Sequence, residues 1–267
     1  MDLQLTGKRA IITGGSRGIG KACALALANE GCDVVILART EDVLRATAAE
    51  LSAATGRKIT PIVCDTSNDE SVHAAMRDAI EALGGGVDIL VNAAATPSGQ
   101  TPAPVLSEIN DDNFWSDMNV KALGYLRTAR ELAPVMSAQG WGRIINISGL
   151  GARSAGAILT SMRNASVAAL TKNLADQLGP KGINVTVVHP GLTRTEATPA
   201  TIKWRASTTG QSEADVEKAM ADGNSIKKIV DAKDIAAVVT FLASPLSIAI
   251  TGDAIAAGGG APRSIYY

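Results

Sequence analysis

Aromatic residues are scarce in this 267-residue chain, at 3% of the total, and no tyrosine lies between Tyr125 and Tyr266. A core this poor in rings must be built from Ala, Val, Ile and Leu, which suits helices packed on a parallel sheet buried on both faces. Charge of one sign is also missing. With 25 Lys+Arg against 26 Asp+Glu the net charge is -1, and no long basic run occurs. That argues against a nucleic-acid partner, since neutralising phosphates needs a positive surface. The three cysteines, Cys23, Cys32 and Cys64, are odd in number and lack metal-ligand spacing. Each sits in an apolar segment and reads as a small core residue, so no metal site is expected. No apolar run approaches membrane-spanning length, and "MDLQLTGKR" lacks a signal peptide's apolar region. The default expectation is a cytoplasmic protein without a membrane partner.

What is present is regular alternation of short β-branched runs with amphipathic ones. Strands are expected at Arg9–Thr13, Asp33–Ala38, Thr60–Cys64, Val87–Asn92, Arg143–Ser148, Asn184–His189 and Ala254–Ala257. Strand–helix alternation implies right-handed crossovers and an α/β, doubly wound parallel sheet of about seven strands with helices on both faces. No linker or repeat interrupts the pattern, so residues 1–267 read as one Rossmann-type domain. Residues 193–230, polar and weakly periodic, read as a substrate lid. The run "ASVAALTKNLADQLG" reads as a helix with Val167, Leu170, Leu174 and Leu178 on its apolar face, stopped by Gly179-Pro180.

One motif carries chemistry. "TGGSRGIG" (13–20) follows the first strand and opens the first helix. Gly14 and Gly18 let the backbone approach a pyrophosphate, and the free N–H groups at the helix start face the anion. The second strand ends "LART", with no acid to read a ribose 2′-hydroxyl. Arg39, with Arg17 in the loop, can instead pair with a 2′-phosphate, so NADP(H) is expected over NAD(H).

From here the chain resembles the short-chain dehydrogenase/reductase family, nearly end to end. "TGGSRGIG" is similar to the family's TGxxxGIG, covering Gly14, Ser16, Arg17, Gly18 and Ile19; "VCD" puts Asp65 at the adenine contact; "DILVNAAA" keeps Asn92 where the family has NNAG. "MNVKALG" puts Asn119 at the active-site asparagine and "IINISG" puts Ser148 at the active-site serine. "GPKGINVTVVHPGLTRTE" brings Pro190, Gly191 and Thr195, the last at the nicotinamide-carboxamide contact, and "ITGDAIAAGGG" resembles the closing strand. The resemblance implies strand order 3-2-1-4-5-6-7, hydride transfer between a nicotinamide and the carbonyl or alcohol carbon of a small molecule, and a homotetramer or homodimer.

The same resemblance exposes a departure. The family's Tyr-x-x-x-Lys pair supplies the proton donor and the lysine that binds the nicotinamide ribose. Counting back from "GPKGI" places the pair at Thr160 and Asn164; counting forward from Ser148 places it at Ser161 and Ala165. Neither register holds a tyrosine or a lysine. "NAAA" also replaces a second Asn with Ala93 and a Gly with Ala95, whose methyl is expected to crowd the strand end. Gly258 stands where an acid is usual, an apparent loss of one polar tie.

Three readings stand open. The first is a divergent NADP(H)-dependent oxidoreductase with altered acid chemistry, helped by Ser148, by a bound water, by the charge of Arg163, or by Tyr266 or Tyr267 of a neighbouring subunit. The second is a catalytically silent NADP(H)-binding homologue acting as partner or regulator. The third is a redirected enzyme using His189 as a base. His73, near Asp69 and Glu70, reads as solvated.

Overall fold

The computed structural model describes residues 1–96, 102–262 and 265. Strands β1 (Arg9–Thr13), β2 (Asp33–Ala38), β3 (Ile59–Val63), β4 (Ile89–Asn92), β5 (Gly142–Ile147) and β6 (Ile183–Pro190) form the main sheet. Strands β7 (Thr193–Arg194) and β8 (Val230–Asp231) make a separate two-stranded pair, and β9 (Ala254–Ala257) closes the edge. The order of the main sheet is β3-β2-β1-β4-β5-β6-β9, parallel throughout. This is the α/β architecture expected, with bounds shifted by one or two residues. Val87 and Asp88 lie outside β4, while β5 and β6 each begin one residue early.

Helices cover both faces. They are α1 (Gly18–Asn29), α2 (Glu41–Thr55), α3 (Asp69–Ala82), α4 (Asp111–Met118), α5 (Gly124–Gln139), α6 (Ile158–Leu178), α7 (Thr198–Thr209), α8 (Glu213–Asp222) and α9 (Ala232–Ala243). Consecutive strand residues point to opposite faces, so each strand feeds two cores. Ile12, Ile36, Val91 and Ile145 meet Cys23 and Leu27 of α1 and Val239 of α9. Their neighbours Ile11, Val35, Leu90 and Ile144 meet Met76 of α3 and Leu132 and Met136 of α5. All three cysteines are buried, and burial pushes the Cys23 thiol up to about 12, as befits core residues.

Two expectations change in detail. On α6 the buried positions are Arg163, Asn164, Val167, Thr171, Ala175 and Leu178, whereas Leu170 and Leu174 are only half-buried. The face toward the sheet is therefore partly polar, and an apolar count alone misplaces it. The helix does end at Leu178, but Gly179 keeps a right-handed φ of −53° and a short turn runs to Lys181. Gly182, at φ +79°, reverses the chain. Residues 193–230 are not aperiodic either. They hold α7 and α8, which pack through Ile202, Val216 and Met220 with Ile229.

The ends of β1 and β4 are locked by one hydroxyl. Thr13 Oγ1 accepts from the amides of Ala93 (3.0 Å) and Ala94 (3.2 Å) and is fully buried. Thr13→Val keeps the shape and orphans both amides. We expect it to cost about 1–3 kcal/mol in urea unfolding, with Thr13→Ser losing much less.

Candidate active site

The glycine motif forms the turn its spacing requires. Gly14 has φ +67°, and a Cβ there would lie 2.9 Å from the Ala93 carbonyl and from Ala94 Cα. Ser16 is pinned by Thr47 Oγ1 donating to its carbonyl at 3.0 Å. Arg17 sits at the N-cap of α1 in extended conformation, with Gly18 and Ile19 opening the helix. The α1 N-terminus already engages an anion of the chain itself: the Gly18 amide donates to Glu196 Oε2 at 3.0 Å. Thr195 lies over the same turn, its Cγ2 3.4 Å from where a Gly18 Cβ would be. A carboxylate on a helix N-terminus is the arrangement an incoming phosphate would replace.

Beyond β2 and β3, Asp65 accepts from the Ser67 amide (2.9 Å) and hydroxyl (2.7 Å). Burial raises the Asp65 carboxyl, but those bonds and the nearby charges of Arg39 and Arg127 outweigh it and hold it below the usual range. Arg39 and Asp65 thus share one corner of the sheet. Asn92 turns away from it. Its fully buried amide donates to Asn146 Oδ1 (3.0 Å) and accepts from Thr128 Oγ1 (2.8 Å), and Asn146 reaches Thr171 at 2.9 Å. That side chain knits β4 to β5. Pro190 ends β6 beside Ala257 of β9. Ala95 is exposed and crowds nothing among the described residues. Gly258 is a packing requirement and not a missing tie, because a Cβ there would come within 2.5 Å of Leu150 and 2.9 Å of Gly191.

At the end of β5 the residues of the two registers differ in their surroundings. Asn164 is 3% exposed and its carbonyl accepts from Ser148 Oγ at 3.0 Å, while Ala165 is exposed. Thr160 lies one turn earlier, its methyl 3.2 Å from a Cβ placed on Gly151. Ser161 instead bonds the Ser154 carbonyl at 2.9 Å. Asn119 does not reach this group. Its side chain donates to the Ser67 carbonyl (3.0 Å) and accepts from Arg127 (2.7 Å), tying the β3–α3 loop to α5.

Sequence reasoning missed Lys121. Residues Asn119–Leu123 form a π-helical turn between α4 and α5, a feature that commonly redirects side chains at functional sites. It sends Lys121 inward, 4% exposed, where Nζ donates to the Ser148 carbonyl at 2.9 Å and to Asn164 Oδ1 at 3.1 Å. Burial, then the charge of Arg163, push its pKa down to about 7 against the pull of Asp117. Arg163 was expected as a spare charge; it is buried and ion-paired with Asp117. The one sequence signal was a lysine amid the apolar neighbours of "MNVKALG".

A cavity of about 540 Å³ is walled by residues that include Leu150, Leu192, Arg205, Val216, Met220 and Gly258. Ser148 is not part of its wall. His73 pairs with Glu131 and not with Asp69 or Glu70. Tyr266 and Tyr267 fall outside the described residues, as do residues 97–101. Among the described residues no cluster of metal ligands occurs, and no helix is long and apolar enough to cross a membrane.

The sheet order agrees with what comparison with known proteins finds. The family model described as Enoyl-(Acyl carrier protein) reductase matches residues 14–261. The chain belongs to the short-chain dehydrogenase/reductase family. It is 35% identical over 254 residues to the short-chain reductase protein NovJ of Streptomyces niveus, covering 95% of this chain and 93% of that one. Likeness to the NADPH-dependent reductase BacG of Bacillus subtilis is 30% over 261 residues, 97% of this chain and 99% of that one. Among solved structures, L-sorbose reductase from Gluconobacter frateurii, complexed with NADPH and L-sorbose, superposes with TM-score 0.93 at 29% identity, covering 99% of this chain and 100% of that one. Relatives in this family are oxidoreductases, and the sheet order expected from the resemblance is the one observed.

His189 is buried, its Nδ1 has no hydrogen-bond partner among the described residues, and burial followed by the charges of Arg153 and Lys121 push its pKa down to about 4. It is neutral at pH 7. Its depressed value means the unfolded chain takes up a proton below about 6.5 that the folded chain refuses. Stability is thus complete above that pH and declines as pH falls toward 4. Urea midpoints measured from pH 7 to 5 should fall for the wild type by the equivalent of about 1–2 kcal/mol and stay flatter in His189→Gln.

Proposed function

We propose that the protein is a divergent NADP(H)-dependent oxidoreductase that moves hydride between the nicotinamide and a carbonyl or alcohol carbon of a small molecule. The observation carrying this reading is the α1 N-terminus: a glycine turn with no room for a Cβ, its Gly18 amide already holding a carboxylate. Gly14, Ser16, Arg17, Gly18 and Ile19 would cradle the pyrophosphate, with Thr195 over it and Pro190-Gly191 beside the nicotinamide. Arg39 would pair with the 2′-phosphate next to Asp65 at the adenine. Asn92 contributes by fixing the strand end. Bound NADPH supplies hydride chemistry; the rest falls to the chain.

Ser148 Oγ is the hydroxyl proposed to hold the substrate oxygen, with Thr160 and Asn164 in the places of the usual acid and lysine. Losing a tyrosine acid costs about 10²–10⁴ in rate, so turnover is expected to be slow, with the proton drawn from Ser148 Oγ or from water. The cavity takes an apolar body, and Arg205 is the one charged side chain on its wall among the described residues. We assign residues 193–230 as the substrate lid of one Rossmann-type domain, in a cytoplasmic homotetramer or homodimer.

Titration with NADPH and NADH, followed by nicotinamide fluorescence, tests the reading. Saturable micromolar NADPH binding with weaker NADH is expected, and Arg39→Ala should remove most of the preference. Failure to bind either nucleotide would end it. Binding with no turnover across a panel of ketones and quinones would leave a silent NADP(H)-binding protein. Glu196→Gln should bind NADPH about 3–10-fold more tightly, because a charge competing for the Gly18 amide is gone.

A further inference from the structure

A buried lysine without a carboxylate in contact is costly, since the desolvated ammonium is satisfied only by neutral acceptors. Lys121 is such a lysine. Its two recorded partners are the Ser148 carbonyl and Asn164 Oδ1, and the nearest carboxylate, Asp117, is engaged by Arg163. An apolar side chain would fill the same core space at lower cost. Expensive buried charge concentrates where function requires it. The two groups it holds are also telling: one is the serine at the end of β5, the other the residue standing where the family's lysine belongs.

We propose that Lys121 is the charged positioning residue of this active site. It enters from the π-helical turn to hold Ser148 and Asn164, and it brings an ammonium into contact with the residue that stands where the family's lysine belongs. The inference rests on the reading of the site as one that binds NADP(H). The role is to orient and to polarise: Nζ fixes the strand end that carries the Ser148 hydroxyl and favours negative charge on an oxygen bound there. No proton passes through Nζ to substrate, because Nζ contacts the Ser148 carbonyl and not Oγ.

The titration behaviour adds a handle. Lys121 loses its charge near pH 7, in surroundings that include Asp117 of α4, Tyr125 and Arg127 of α5, Arg163 of α6 and His189 of β6. Burial holds the Tyr125 hydroxyl protonated and His189 neutral between pH 6 and 8.5, whereas the charge of Lys121 changes in that window.

The test compares affinities for NADP⁺ and NADPH, which share the 2′-phosphate and differ in the charge of the nicotinamide ring. A nearby ammonium repels the oxidised ring, so the ratio Kd(NADP⁺)/Kd(NADPH) reads the charge without any turnover. In the wild type the ratio should fall about tenfold as pH rises from 6 to 8.5, the size of a Coulomb term at several ångströms. In Lys121→Met, which fills the space without charge, the ratio should be low and flat with pH. Where a carbonyl substrate is turned over, kcat should drop about 100-fold with KM within about threefold, the split expected of lost transition-state stabilisation.

If Lys121→Met does not fold, Lys121→Gln and the wild-type pH series carry the test. A ratio that does not change with pH in the wild type, or that matches in the wild type and the variant, overturns the proposal. A wild type that binds nucleotide but reduces no carbonyl sinks the enzyme reading while the ratio still decides for or against Lys121. A wild type that binds neither nucleotide removes both.

Discussion

The working end of this molecule depends on how closely two backbones can approach. The turn after β1 lies against the residues leaving β4, with Gly14 touching Ala93 and Ala94 at a distance no side chain would allow. Thr13 holds that contact shut from beneath. The approach sets where α1 begins, and the start of α1 sets where its unpaired amides point. The same economy recurs across the sheet, where Gly191 and Gly258 meet. The sheet order reverses between β1 and β4, at the Gly14 contact, the place such folds keep for ligands.

Around that place the chemistry divides. One half is built of backbone amides, glycines and arginines and needs no titratable group. The other half is a knot of polar side chains at the end of β5, largely buried and bonded to one another: Ser148 on Asn164, Asn164 and Ser148 on Lys121, and Arg163 on Asp117 beside them. That corner is far from apolar.

How much of this is readable from sequence follows from how local each cause is. Strands buried on both faces announce themselves as unbroken β-branched runs, so β1 and β2 fall where the sequence puts them; β9 does too, though only half-buried, and the others shift by a residue or two. The glycine turn is equally local, since strand, loop and helix adjoin. The register of Thr160 and Asn164 is not local: it turns on which α6 residue meets Ser148, and two counts from opposite directions disagree by one. Lys121 is less legible still. In a regular helix a lysine between Val120 and Leu123 would be taken for a solvated charge, and only the extra residue of the π-helical turn rotates it inward. The misjudged face of α6 has the same origin. Asn164 and Arg163 are buried because Ser148, Lys121 and Asp117 await them, which an apolar count cannot register.

The amide chain through Thr128, Asn92, Asn146 and Thr171 carries a different kind of consequence. Neighbouring strands made of Ile, Leu and Val are nearly interchangeable to one another, so a parallel sheet of them risks pairing out of step. Asn92 lies opposite Asn146 in the β4–β5 register. A slip of one residue would turn one of them toward the other core, and a slip of two would leave both amides stranded in a dry interior. The two asparagines therefore act as a proofreading mark for assembly, making misaligned sheets unstable while adding little to the aligned one.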